Sequence, residues 1–273
     1  MTSERDEKLL RELGHYHLGL RYLMAFRHFG GNEKALDGVL TRLIEQNRIR
    51  VHKNCLPGGH SIYQLTKASA LTLGFSEARA QKIGPRALPE HLSVLWFCCA
   101  YNGIQRTRLE DAQLVQLLGQ RLAGVHCAEV GFTTAGRPVN RIYRVFVPGN
   151  TAEDTYTIKK IRDTLEEVRR LRERGPAKFS PAEWLAERRY GIAVLVDQET
   201  RRKRFLELFK REGFFEETHL LVERSISPET LTQNLQEVLY VRNESTHHLD
   251  SLPLQTGGGT NGSHHVHQSP PTA

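Results

Sequence analysis

The chain has 273 residues, 39% hydrophobic and 25% charged, with a formal net charge of +7. That is enough for two modest domains with cores of their own. The longest apolar run, Leu92 to Ala100, is too short to cross a bilayer, and the charged N-terminus MTSERDEKLL lacks the apolar segment of a secretion signal. The expectation is a cytoplasmic protein with no membrane contact. The charge is uneven: residues 1–87 hold 14 Lys and Arg against 8 Asp and Glu, a surplus of +6 that favours a polyanionic partner for this part.

The N-terminal third sets up a reader. Arg5 to Leu13 is predicted as a short amphipathic helix carrying Leu9, Leu10 and Leu13. Leu18 to Phe29 follows as a second apolar helix with Leu20, Leu23, Met24 and Phe26. A Gly30-Gly31 turn and Asn32 as N-cap introduce a third, in which Leu36, Val39, Leu40, Leu43 and Ile44 fall at the spacing of one buried face. Arg48, Arg50, His52 and Lys53 crowd one short β-like run, Pro57-Gly58-Gly59 reverses it, and Ser61 to Leu65 returns as a strand. Thr66 then caps a closing helix that Gly74 stops.

Three helices followed by a basic hairpin are the layout of a winged helix-turn-helix, here residues 1–76. In that fold the third helix enters the major groove of duplex DNA and the wing touches flanking backbone. Lys34, Thr41, Arg42, Gln46 and Asn47 are placed to reach base edges or phosphates, with Arg42 on the far side of the helix from Val39 and Leu40. Arg48, Arg50, His52, Lys53 and His60 sit on or beside the wing, where backbone contacts are expected. The competing expectation is a winged helix that contacts proteins.

Residues 77–89 read as a linker, broken by Gly84-Pro85 and Pro89. Residues 90–242 read as an α/β domain around one sheet. Its expected helices are Leu92 to Tyr101, Leu109 to Leu122, Thr157 to Arg174, Arg201 to Arg211 and Pro228 to Leu239. Its expected strands are Val125 to Phe132, Arg141 to Val147, Tyr190 to Val196 and His219 to Val222. The fold class is therefore α+β. Residues 243–273, rich in Ser, Thr, Gly, His and Pro, read as a disordered tail whose His247, His248, His264, His265 and His267 are incidental.

The order of helix, turn, Leu40, Arg42, Leu43, Ile49-Arg50-Val51, glycine wing, Tyr63, Leu65, Thr66, Ala68 and Gly74 resembles the N-terminal part of the replication-relaxation family. These are winged-helix proteins of plasmids and other mobile elements. Ala70 stands where many winged-helix regulators place a glycine. The resemblance implies DNA binding in plasmid replication, relaxation, mobilisation or transcriptional control, with a homo-oligomer or a relaxosome or replication protein as further partner. It also implies a second domain like the PD-(D/E)xK nucleases. Such a sheet needs clustered carboxylates to hold the metal that activates water. Val139 stands where the pattern would carry Asp, and Val145 to Pro148 where acids are expected, so a degenerate, non-catalytic version is predicted.

Other chemistry is sparse. No phosphate loop, nucleophile elbow or HExxH occurs, and Cys55, Cys98, Cys99 and Cys127 lack metal-ligand spacing. His126 and Cys127, adjacent on a strand, should point to opposite faces. Glu129, Glu153, Asp154 and Asp197 read as scattered, solvated acids. The expectation is a non-enzymatic duplex DNA binder without metal or cofactor. A metal-dependent nuclease built from those four acids and a protein-protein adaptor are the alternatives.

Overall fold

The computed structural model describes residues 3–100, 105–132, 138–149, 154–171 and 181–232, a mixed α and β structure with two sheets. Helix α1 (Glu4–Tyr16) opens on a capping box: Ser3 Oγ accepts from the Asp6 amide and the Asp6 carboxylate accepts from Ser3 N–H. Strand β1 (Gly19–Leu20) and helix α2 (Arg21–Phe29) occupy the stretch expected as one helix. Two strand residues are too few to carry a period. Gly19 is needed there because a Cβ would lie 2.5 Å from Leu13 Cδ2 and 2.8 Å from Met24 Sδ.

Helix α3 (Glu33–Glu45) starts as its sequence predicts, with Asn32 Oδ1 accepting from the Ala35 amide at 3.0 Å. It buries Leu36, Leu40 and Leu43 and half-buries Val39, but leaves Ile44 39% exposed, so its apolar stripe is narrower than expected. Strands β2 (Ile49–His52) and β3 (Ile62–Leu65) pair antiparallel, and the sheet order is β1-β3-β2. Helix α4 (Lys67–Thr72) is capped by Thr66, whose Oγ1 accepts from Ser69 N–H and donates to the Asn47 carbonyl at 2.8 Å.

The stretch read as a linker is structured. Glu77–Ala80 forms a 3-10 turn with Arg79 and Ala80 buried, and Pro89 lies in the first turn of α5 (Leu88–Cys99). A missing amide costs nothing there. Every residue of α5 from Leu92 to Cys99 is buried. One apolar cluster joins Tyr16, Leu20, Leu23, Leu56 and Ile62 to Trp96 and Phe97, and continues into Cys127, Tyr143, Ala193 and Leu195 of the second sheet. Helix α5 is thus packed between the N-terminal elements and that sheet.

The second sheet has the order β4 (Gln105–Leu109), β5 (His126–Phe132), β6 (Pro138–Phe146), β7 (Tyr190–Val196), β8 (His219–Arg224). Strand β5 is antiparallel to both β4 and β6, and β6, β7 and β8 run parallel. All seven residues of β7 are buried, as its unbroken apolar run predicts. A second apolar cluster joins the sheet to α6 (Asp111–Leu118), α7 (Asp154–Arg170), α8 (Pro181–Ala186), α9 (Glu199–Glu212) and α10 (Phe214–Glu217) through Leu118, Ile161, Trp184, Tyr190, Phe205, Phe209 and Phe214.

Three differences from expectation have physical reasons. Strand β4 has no counterpart among the expected strands, and its Leu109 was expected to start a helix, because its inward residue is Arg106 rather than an apolar one. Helices α8 and α10 span six and four residues, too short for a moment to emerge. The helix expected over Pro228 to Leu239 is a 3-10 turn at Thr230–Thr232 within the described residues. The rest of that element, Arg172 to Arg174, the turn Thr134 to Arg137, Thr151 and the tail with its histidines lie outside the described residues.

A candidate nucleic-acid interface

The ten residues singled out in the sequence separate into three groups. Lys34, Thr41, Gln46, Asn47 and Lys53 are exposed, the first two on α3, the next two in the turn that follows it, and Lys53 just after β2. Asn47 takes φ 53°, which lets its carbonyl receive the Thr66 hydroxyl and turns the chain from α3 into β2.

A second group is engaged within the protein. Arg42, expected to reach a base, donates to the buried Asp6 carboxylate at 2.6 Å and ties α3 to α1. Arg48 Nε donates to Ser69 Oγ at 3.1 Å. His52 Nε2 lies 2.7 Å from Gln64 Oε1, and Gln64 Nε2 donates to the carbonyls of His17 and Gln81. Strand β2 thus turns Arg50 and His52 to the face that Gln64 shares, because Arg50 and Gln64 are register partners. Arg50 is half-buried there, and its Nε is buried with no hydrogen-bond partner among the described residues.

His60 stands alone. It lines a cavity of about 160 Å³ with Leu20, Arg21, Tyr63, Trp96 and Leu231. The hairpin tip is anchored beside it, since Leu56 is buried in the same cluster as Leu231.

Electrostatics on α3 depend on a residue that sequence reasoning missed. Arg21, the first residue of α2, pairs with both Glu33 and Asp37, meeting the Asp37 carboxylate at 2.8 and 2.7 Å. That hydrogen bond holds the Asp37 carboxyl below its ordinary range. The acids in the first half of α3 are therefore neutralised from α2. No spacing rule would have revealed a contact between residues 16 apart.

Most of the other N-terminal acids pair in the same way, while among the described residues Glu45 on α3 meets no cation and Arg5 on α1 meets no carboxylate. Glu4, Glu7, Glu12 and Glu77 meet Lys8, Arg11, Arg27 and Lys67. Lys34, Arg50, Lys53, Lys82 and Arg86 meet no carboxylate among the described residues. The surplus seen in the composition therefore collects along α3, β2 and the segment before α5.

The acids expected to be solvated are partly buried instead. Glu129 is 5% exposed, and Glu129 and Glu223 both bind Arg106, at 2.7 Å and 2.9 Å. Tyr143 Oη donates to Glu129 at 3.3 Å. Asp154 is 6% exposed and receives Arg201 at 3.0 Å and Arg204 at 3.1 Å. These carboxylates are occupied by guanidinium groups. Among the described residues no three His, Cys, Asp or Glu side chains are grouped to hold a metal ion, and Glu153 lies outside them. His126 and Cys127 do face apart: His126 Nε2 meets Tyr190 Oη at 3.0 Å, while Cys127 Sγ lies 3.6 Å from Cys98 Sγ.

No protein-family model, no curated protein and no solved structure matches the chain. Among the described residues no helix is long and apolar enough to cross a membrane.

Proposed function

We propose that the chain binds duplex DNA through its N-terminal elements, as a winged helix-turn-helix, and acts without catalysis. The order α1, β1, α2, α3, β2, β3 with a β1-β3-β2 antiparallel sheet supports that reading, since it is how winged helices present their third helix. The observation that carries it is the distribution of charge. With the other acids of this part paired, Glu45 apart, most of the cations left over lie on α3, on β2 and beside them, and a phosphate backbone is the partner such a set attracts.

In this reading Lys34, Thr41, Gln46 and Asn47 face the groove, and Lys53 faces the flanking phosphates. Arg42 acts through Asp6, holding α3 at its angle to α1. The second sheet and its helices serve oligomerisation or recruitment of a partner. The resemblance of the first third to replication-relaxation proteins is what suggests a role with plasmids or other mobile elements.

Fluorescence anisotropy of the full chain on a random duplex tests this. The logarithm of affinity should fall linearly with the logarithm of salt, and replacing Lys34 and Lys53 by Ala should flatten the slope by about 2. Weak binding that ignores salt would make the adaptor reading the better one.

A further inference from the structure

The wing does not end the basic surface. Gln64 is 1% exposed and its Nε2 donates to the Gln81 carbonyl at 3.1 Å and to the His17 carbonyl at 2.8 Å. That clamp ties Gln81, the start of the segment that carries Lys82 and Arg86, to the β2–β3 ladder on the face that Arg50 and His52 share. Lys82 and Arg86 are both exposed in this stretch.

The row continues past them. The rings of His17 and His91 stack at 4.8 Å between centroids, joining the end of α1 to the first turns of α5. Thr107 on β4 reaches His15 at 3.3 Å, and Arg79 donates to the His15 carbonyl at 3.1 Å. Arg108, next to Thr107, is half-buried and has no ion pair among the described residues. Burial, with the charges of Arg79, His91 and Arg108, lowers the His17 pKa to about 3. Burial and the same two guanidinium groups lower that of His91 to about 4. Both rings are thus neutral near pH 7, and the charge here belongs to the guanidinium groups. Glu110 answers Arg79 and His15, not Arg108, and Glu77 answers Lys67. Glu90, exposed in the first turn of α5, and Asp111, paired with Arg121 at 2.6 Å, are the other acids of this stretch.

We propose that duplex DNA is bound by a continuous track in which Arg50, Lys82, Arg86 and Arg108 carry the flanking phosphates from the wing onto the second sheet. The inference rests on the DNA-binding reading and extends it. The footprint is longer than a winged helix alone would cover, and the elements that follow the wing take part in binding. Such a track also gives the half-buried Arg50, which meets no carboxylate among the described residues, an anionic ligand.

The test uses the full chain and two duplexes, one of about 12 base pairs, a little over one helical turn, and one of about 24. Lys82→Ala, Arg86→Ala and Arg108→Ala are combined. Circular dichroism and thermal melting establish that the variant folds, and Arg86→Lys with Lys82→Arg serves as a charge-preserving control. On the longer duplex the triple variant should lower the salt slope by about 2 to 3. On the shorter one it should match the parent, and the control should match it on both. A triple variant equal to the parent on the longer duplex, while Lys34→Ala/Lys53→Ala still flattens the slope, would overturn the track and leave the winged-helix reading standing. A parent chain that binds neither duplex in a salt-dependent way would overturn both.

Discussion

Replacing Arg106 by Met should strip the second sheet of its central charge. The guanidinium is 2% exposed and is shared between Glu129 and Glu223, which are 7% and 10% exposed. It also lies 4.1 Å from the centre of the Phe97 ring. Burial alone would lower its pKa, but Glu223 and Glu129 outweigh burial and raise it. Met fills much the same volume, so the main loss is electrostatic: the two buried carboxylates lose the cation they share, and Glu129 keeps the more distant Arg141, at 3.6 Å. Breaking a buried pair by removing one partner costs about 3–5 kcal/mol. That is a large share of the roughly 5–15 kcal/mol that holds a domain together.

Removing the carboxylates separates this cause from simple loss of packing. Urea unfolding of parent and variant at about pH 7.5 should show a gap of about 3–5 kcal/mol. A further variant with Glu129→Gln and Glu223→Gln should recover most of the loss. A gap below about 1 kcal/mol, or one that the two carboxamides leave unchanged, would refute this cause.

Other consequences can be checked separately. His126 is held neutral by burial and by the Arg144 charge, with its pKa lowered to about 4. Its contribution is therefore complete above the unfolded value near 6.5 and is lost as pH falls toward 4, by up to about 3 kcal/mol. His126→Gln should flatten that part of the stability profile in urea titrations. Burial raises the Cys98 and Cys99 thiol pKa values, and Cys127 is equally buried, whereas Cys55 is exposed. A thiol reagent should therefore label Cys55 alone in the native protein and all four cysteines in urea, counted by mass. Two glycines should respond oppositely to Ala. At Gly38, in the middle of α3, a Cβ meets nothing within 4 Å, so Ala should stabilise by about 0.5–1 kcal/mol. At Gly191 it would lie 2.7 Å from the His219 carbonyl oxygen and against the Tyr143 ring, so Ala should cost about 1–3 kcal/mol, read as a drop in melting temperature.

The elements with strong periods were legible from the sequence. Asn32 and Thr66 cap the helices they were expected to cap, Gly74 takes φ 82° after α4, and β7 has the bounds its apolar run suggested. What stayed hidden follows from where the information lies. Strand β4 points a charged residue inward, so no apolar alternation marks it. Pro89 looked like a breaker because the sequence does not say whether a proline stands after a helix or in its first turn. The candidate site was half legible: sequence identified which side chains are basic, but not which of them meet acids. Asp6 and Arg42 are 36 positions apart, and Arg106 and Glu223 are 117 apart. Pairings at such separations are set by the tertiary fold, and they decide which cations remain for a ligand.

Hydrogen exchange of the full chain, with and without saturating duplex DNA, tests the central claim most directly. The account predicts slower exchange over α3, the turn at Gln46 to Arg48 and β2, with a second protected stretch at residues 81–86. Protection confined to α7 and α9, or none at all under conditions where binding is established, would contradict it.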